Sequence, residues 1–403
     1  MSLSKQMPRL IILLVALALV ISACGTPATP PPTSAPQPTS APQPTTAPQP
    51  TSAPQATTAP QPTTAAQPTE ATTAGGGKIA ILLPETKTAR YESQDLPNFK
   101  NKLQALGFDV ANNLIYSNAN QDAAAQQQQA EAALTNGAKV LVLDPVDSDA
   151  AAAIADLAKT KNVPVISYDR LIKGTDAVNY YISFDNEQVG KLQGQSLLQA
   201  LSGKTNPSIV MINGSPTDNN ATLFKKGAHS VLDGKVTIAK EYDTPDWSPD
   251  KAQEEMTQAL TALGNKVDGV YAANDGTAGG AIAAMKAAGL SPLPPITGQD
   301  AELAAIQRIL AGEQYMTVYK AIKPEAEAAA ELAFDLLTGK QPDPSMLNGK
   351  VNNGKTDVPS ILLTPVAVTK ANVKDTVIAD GFWSVDQVCT SDYTQACAAA
   401  GLK

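Results

Sequence analysis

Short, almost purely apolar runs recur along the chain from residue 78, each closed by a proline or a polar residue and each trading places with a stretch of helical character. The first, over 78–83, reads Lys-Ile-Ala-Ile-Leu-Leu and stops at Pro84. A run of that length without polar alternation is what a strand buried on both faces requires. Similar runs occupy 139–143, 163–168, a segment ending at Phe184, 208–213, 236–242 and 269–273. Between them, residues 122–136, 149–161, 187–201, 221–232 and 249–263 read as helices. Strands alternating with helices of about 10 to 15 residues imply parallel sheets covered by helices on both sides. The alternation restarts after Phe184, so the expected architecture is α/β, with two similar doubly wound lobes.

No fold is expected before residue 78. Lys5 and Arg9 precede an apolar run over 10–21, closed by Ser22 and Ala23, which is the anatomy of a secretory signal over residues 1–23. The run is shorter than the roughly 20 apolar residues a membrane-spanning helix needs. Ile21-Ser22-Ala23-Cys24 resembles the bacterial lipobox, which implies diacylation of Cys24 and an anchor on the outer face of a membrane. Residues 24–77 then form a tether. From 26 to 74 a Pro-Thr-Ser-Ala-Pro-Gln-like hexapeptide repeats, with Glu70 the only charge. Such a stretch cannot offset its ordering entropy and favours extended polyproline conformers. At roughly 3.1 Å per residue it could reach about 150 Å. Gly75, Gly76 and Gly77 supply a swivel.

Charge and cysteine usage narrow the partners. Loss of Lys5 and Arg9 with the signal moves the net charge from -8 to -10. An acidic surface disfavours nucleic acid and anionic lipid. Besides Cys24 the chain holds only Cys389 and Cys397, a pair that fits a local disulfide in an exported protein or, alternatively, two free thiols. A metal site is disfavoured, because this pair has no nearby histidine.

In open parallel sheets, ligands bind beyond the carboxyl ends of the strands. The residues that follow the runs here are Thr88 to Tyr91, Asp169-Arg170, Asp185-Asn186, Gly214 to Asn220, Asn274-Asp275, Asp300 and Lys320. Any one of Asp185, Asp218 or Asp275 is equally well explained as a helix cap. Recurrence at strand after strand points instead to a site, and its chemistry suits a neutral polyol. Asp accepts from hydroxyls, Arg and Lys donate to them, and Asn does both. Tyr91 and Trp247 could stack on the apolar faces of a sugar ring or fill a core.

The stretches Ser167-Tyr-Asp-Arg170, Gly214-Ser-Pro-Thr-Asp-Asn-Asn-Ala221, Asn274-Asp-Gly-Thr-Ala-Gly-Gly-Ala281, Gly298-Gln-Asp-Ala301 and Met316-Thr-Val-Tyr-Lys320 resemble, in order, those of the type I periplasmic binding proteins, and within them the xylose-binding branch. So do Tyr181-Ile-Ser-Phe-Asp-Asn-Glu187 and Asp357-Val-Pro-Ser-Ile-Leu-Leu-Thr-Pro365. The resemblance implies a receptor without cofactor or catalysis that delivers a monosaccharide, D-xylose first, to the permease of an ABC importer. It implies lobes over 78–184 with 321–364 and over 185–320 with 365–388, joined by a three-strand hinge near Phe184, Ala321 and Thr364. Residues 389–403 form an extension outside the family pattern. Carried over residue by residue, the implied sugar ligands are Arg90, Tyr91, Asp169, Arg170, Asn220, Trp247, Asn274, Asp300 and Lys320, with Asp185 at the first crossing. Tyr91 stands where the family has Trp.

Two rival classes remain at this stage. Asp169 and Asp300 could form the acid pair of a glycoside hydrolase, although Arg170 beside Asp169 disfavours a protonated acid there. The single histidine, His229, is explained by a polar helix surface, and no nucleophile elbow, phosphate loop or zinc motif occurs. The other rival is a sensor whose closed form docks on a membrane histidine kinase, which the same site would serve.

Overall fold

The computed structural model describes residues 76–402. The expected signal over 1–23, Cys24 and the repeat up to residue 75 lie outside those residues.

Strand β1 (Lys78–Leu83) pairs in parallel with β2 (Leu114–Asn118) on one side and β3 (Ala138–Leu143) on the other. Strands β4 (Val165–Tyr168) and β5 (Tyr180–Phe184) extend the sheet in parallel beyond β3. Ile79, Ile81 and Leu83 face Phe99 and Leu103 of helix Leu96–Ala105 and the alanines of helix Ile322–Leu337. Ala80 and Leu82 face the opposite layer, Ala130 and Ala133 of helix Ala123–Thr135 and Ile154, Ala155 and Ala158 of helix Ala152–Thr160. Successive side chains point to opposite faces of a strand, and both faces here are covered by helices. That is why the run contains no polar alternation.

The second lobe repeats the plan. Strand β6 (Ser208–Asn213) lies between β7 (Thr237–Asp243) and β8 (Gly269–Ala272), all parallel. Ile209 and Met211 pack towards Val189 and Leu197 of helix Asn186–Ala200. Val210 and Ile212 pack towards Met256 of helix Pro249–Leu263 and Ala281 and Met285 of helix Asp275–Ala287. Beyond β8 the sheet is thinner than expected, because residues 296–299 form only isolated bridges, Ile296 to Val270 and Gln299 to Val318 of β9 (Met316–Tyr319). Both lobes therefore share one spatial order, second strand, first, third, fourth, fifth.

The last strands join the two sheets. Strand β10 (Gly349–Asn352) runs antiparallel to β11 (Asp357–Leu363), which pairs in parallel with β5. Strand β12 (Val366–Thr369) runs antiparallel to β9. The chain thus passes between sheets three times, after Phe184, after Tyr319 and between Leu363 and Val366. The segment expected as a C-terminal extension is packed: Val388, Cys389 and Cys397 are buried with Ile306, Ile309 and Leu310 of helix Leu303–Ala311. Cys389 and Cys397 form a disulfide.

Candidate functional site

The carboxyl ends of β1, β4, β6, β8 and β9 all point into the space between the lobes. The loops that follow them surround a small cavity lined by Arg90, Tyr91, Asp169, Arg170, Asn220, Trp247, Asn274, Asp300 and Lys320. These are nine of the ten side chains the sequence singled out as sugar ligands, and all nine are buried. Asp185 is the exception and is a correction. It is exposed and serves as the N-cap of helix Asn186–Ala200, accepting from the Gln188 backbone N–H at 3.0 Å. The first crossing turns into a helix there, and the capping requirement uses the carboxylate.

The first lobe presents a buried ionic lattice. Arg90 donates to Asp95 (2.6 Å), Glu325 (2.6 Å) and Asp169 (3.2 Å). The Tyr91 hydroxyl donates to Asp169 at 3.0 Å and accepts from Arg170 at 3.2 Å. Arg170 reaches across to Asp218 of the second lobe at 3.0 Å. Lys320, at the second crossing, lies 3.2 Å from Asp300 and 3.6 Å from Asp169. Burial alone would raise the Asp169 carboxyl, but Arg90, Lys320 and Arg170 overcome it and hold it well below the ordinary carboxylate range. It is therefore an acceptor that cannot supply a proton. Burial pushes Asp144 and Glu325, just behind this layer, the other way.

The second lobe presents groups held by backbone geometry. Asn274 caps helix Asp275–Ala287 through Thr277 in a reciprocal capping box, leaving its amide N–H groups for the cavity. Asn220 sits in the first turn of helix Asn219–Leu232, accepts from Asn186 at 2.9 Å and donates to the Asp169 carbonyl at 3.0 Å. Trp247 lies so close to Gly214 that a Cβ at 214 would sit 1.9 Å from the indole. The indole N–H donates to Asp218 at 3.1 Å, and the ring meets Phe224 edge-on at 6.3 Å. Asp169, Trp247, Asp300 and Ala301 all have φ between 49° and 93°, a region non-glycine residues rarely occupy. Such positions cost about 1–3 kcal/mol each and persist only where surrounding contacts over-determine them.

Sequence reasoning did not select Thr88, Asp218, Phe224 and Gln299, which also line the cavity. Thr88 and Gln299 lie inside stretches already marked at strand ends. Asp218, for which the sequence leaves cap and site residue both open, caps its helix by accepting from Asn220 N–H at 2.8 Å and also holds Arg170 and Trp247. Phe224 belongs to an apolar helix face and carried no signal. The Gln299 side-chain oxygen is buried without a hydrogen-bond donor and Asp300 Oδ1 has only the Lys320 ammonium, 3.2 Å away, which marks the place where a ligand's hydroxyls would fit. His229 is remote, bonded to Asp233 and Glu241 on the helix surface. Among the described residues, no group of three or more His, Cys, Asp or Glu could hold a metal, and no helix is long and apolar enough to cross a membrane.

Two like lobes around a buried polar cavity at their strand ends define a solute-binding protein. Residues 79–341 match the periplasmic binding protein domain, and the chain belongs to that family of binding proteins rather than to an enzyme family. It is 41% identical over 310 residues to the D-xylose-binding periplasmic protein of Escherichia coli, covering 76% of this chain and 90% of that protein. It is 34% identical over 338 residues to the multiple sugar-binding periplasmic receptor ChvE of Rhizobium radiobacter, covering 79% and 94%. Among solved structures, a carbohydrate transporter solute-binding protein of Chloroflexus aurantiacus in complex with D-glucose superposes with a TM-score of 0.70 at 34% identity, covering 77% and 97%. The chain is a sugar-binding receptor of the type I periplasmic class.

Proposed function

We propose that this receptor captures D-xylose between its lobes and hands it to an ABC importer while held to the membrane by a diacylated Cys24. The observation that carries the sugar reading is the buried polar cavity in which the unpartnered Gln299 side-chain oxygen and the Lys320-paired Asp300 carboxylate sit with the donors Asn274 and Arg90. Each hydroxyl both donates and accepts, so a site that mixes Asp, Asn and Arg satisfies all of them, and an analogue lacking one leaves a buried group unpaired. The relatives named for D-xylose support xylose over other sugars. Sugar contacts to both lobes would favour the closed arrangement through differential affinity. The lipobox-like Ile21-Ser22-Ala23-Cys24 and the long uncharged tether support the anchor, which would keep the receptor at high effective concentration near its permease.

Titration calorimetry against xylose, glucose, ribose and arabinose tests the sugar. Xylose is expected to bind tightest; preference for another of the four would rename the ligand, and silence from all four would overturn the sugar reading. Mass spectrometry of the membrane-extracted protein tests the anchor, which predicts an N-terminal lipid-modified peptide starting at Cys24.

A further inference from the structure

The backbone of the Asp300 loop is pinned at four points, and one of them comes from the C-terminal tail. Asp300 N–H donates to the Val318 carbonyl at 2.9 Å, Ala301 N–H to Thr317 Oγ1 at 3.2 Å, and Glu302 N–H to Asp275 at 3.0 Å. The fourth pin is the Trp383 indole N–H, which donates to the Ala301 carbonyl at 2.8 Å. Asp300 and Ala301 have φ of 93° and 49°, so this turn depends on its restraints. The same tail touches the neighbours of two other cavity residues. Phe382 packs edge-on against Tyr319, next to Lys320, at 5.1 Å. Its carbonyl accepts from Gln94, three residues past Tyr91, at 3.3 Å. Beyond Trp383 the chain is held on helix Leu303–Ala311 by Val388, by the Cys389–Cys397 disulfide and by Gln307, which donates to the Val388 carbonyl at 3.2 Å.

We infer that the disulfide-stapled tail, acting through Trp383, is a positioning element for Asp300 and so helps set sugar affinity without touching the sugar. The inference rests on the reading of Asp300 as a sugar ligand, but its first test needs no ligand. Amide hydrogen exchange at residues 300–302 of the full-length protein should be about three- to tenfold faster in Trp383→Phe, which keeps an aromatic ring but deletes the indole N–H together with its five-membered ring. Unchanged exchange there overturns the assignment whatever the sugar does. In titrations, Trp383→Phe should weaken xylose binding by a similar about three- to tenfold. In an Asp300→Asn background that loss should shrink, because the positioned group is already altered. Equal losses in both backgrounds would mean a general effect on the fold and would sink the positioning role. Reducing the disulfide of the wild-type protein should give the same direction in both readouts, and unchanged exchange and affinity after reduction would remove the staple from the inference. If the wild type binds none of the sugars, the function fails while the exchange result still decides this question.

Discussion

The two lobes share one strand order and offer the cavity opposite kinds of surface. The first brings charges, Arg90, Asp169 and Arg170; the two guanidinium groups are met by Asp95, Glu325 and Asp218, and Asp169 by Arg90 and Lys320. The second brings the carboxylates of Asp218 and Asp300 and otherwise neutral amides and rings, Asn220, Asn274, Gln299, Phe224 and Trp247, oriented by helix caps and by left-handed backbone positions. Rigidity on one side comes from an electrostatic lattice and on the other from main-chain geometry. The difference teaches that identical scaffolds can pre-organise a site by two routes whose failures should look different. Removing a lattice member should damage the fold and the site together. Removing an oriented amide should damage the site alone.

The sharpest way to break the comparison is Arg90→Ala. Arg90 serves three carboxyl groups and is buried, so its loss leaves charges without a counterion. A loss of about 3–5 kcal/mol in stability is expected, with sugar binding abolished. Arg90→Lys should recover little, since a single ammonium cannot reproduce a planar fork that serves several acceptors. Denaturant titration and calorimetry check both; a variant that folds with wild-type stability would show that the lattice is not what holds the first lobe's face.

The buried acids separate on the pH axis, with Asp169 set apart from the rest rather than one lobe from the other. Burial raises Asp275 from its ordinary value to about 7 and Glu302 to about 8, with Arg308 opposing it. In the unfolded chain both would ionise near 4, so between about pH 4 and 8 the folded protein binds more protons than the unfolded one. Stability from these groups therefore falls as pH rises through that window, and Asp144 and Glu325 act in the same direction. Asp169 acts oppositely: its contribution is present above the ordinary carboxylate value and is lost as pH falls below it towards the depressed folded value. The thermal midpoint should be highest near pH 5, decline towards pH 8 as stability on the order of several kcal/mol is lost, and drop again in strong acid. Glu302→Gln should flatten the limb between pH 7 and 8. A midpoint that climbs steadily from pH 5 to 8 would contradict the assignment.

Asn274→Ser probes the second lobe's route. Serine keeps the N-cap, so stability should change by no more than about 0.5 kcal/mol, whereas the lost amide leaves a ligand hydroxyl unpaired and should weaken binding by about 1–3 kcal/mol. Asp300→Ala should fall in the same range. If Asn274→Ser lowers stability and affinity equally, the second face is no less structural than the first.

Much of this arrangement was legible in the chain itself, for reasons that also explain what was not. Strands β1, β3, β4, β6 and β8 are buried on both faces, so their composition announces them. Strand β2 lies at a sheet edge with every residue half-buried, and Leu-Ile-Tyr-Ser-Asn carries no continuous apolar run. Residues at strand ends were found because topology brings them to one place. Phe224 was not, because a cavity-facing phenylalanine on an amphipathic helix is indistinguishable in sequence from its core-facing neighbours. Trp383 escaped for a further reason: it acts on Ala301 across 82 positions of sequence, through a backbone carbonyl that no residue type reveals.

The smallest expected effect lies at Asp185, where one residue type had two possible roles. It follows a strand like the cavity residues do, yet its carboxylate turns back to the Gln188 N–H and faces solvent. Replacing an N-cap aspartate by alanine costs typically about 1 kcal/mol through the helix it starts. Helix Asn186–Ala200 packs under β9 and supplies Asn186, which holds Asn220. Asp185 lies outside the cavity lining, so Asp185→Ala should lower the unfolding midpoint slightly and leave the xylose dissociation constant within about twofold of wild type. A tenfold loss of affinity at unchanged stability would return Asp185 to the site and would mean that the first crossing reorients when sugar binds.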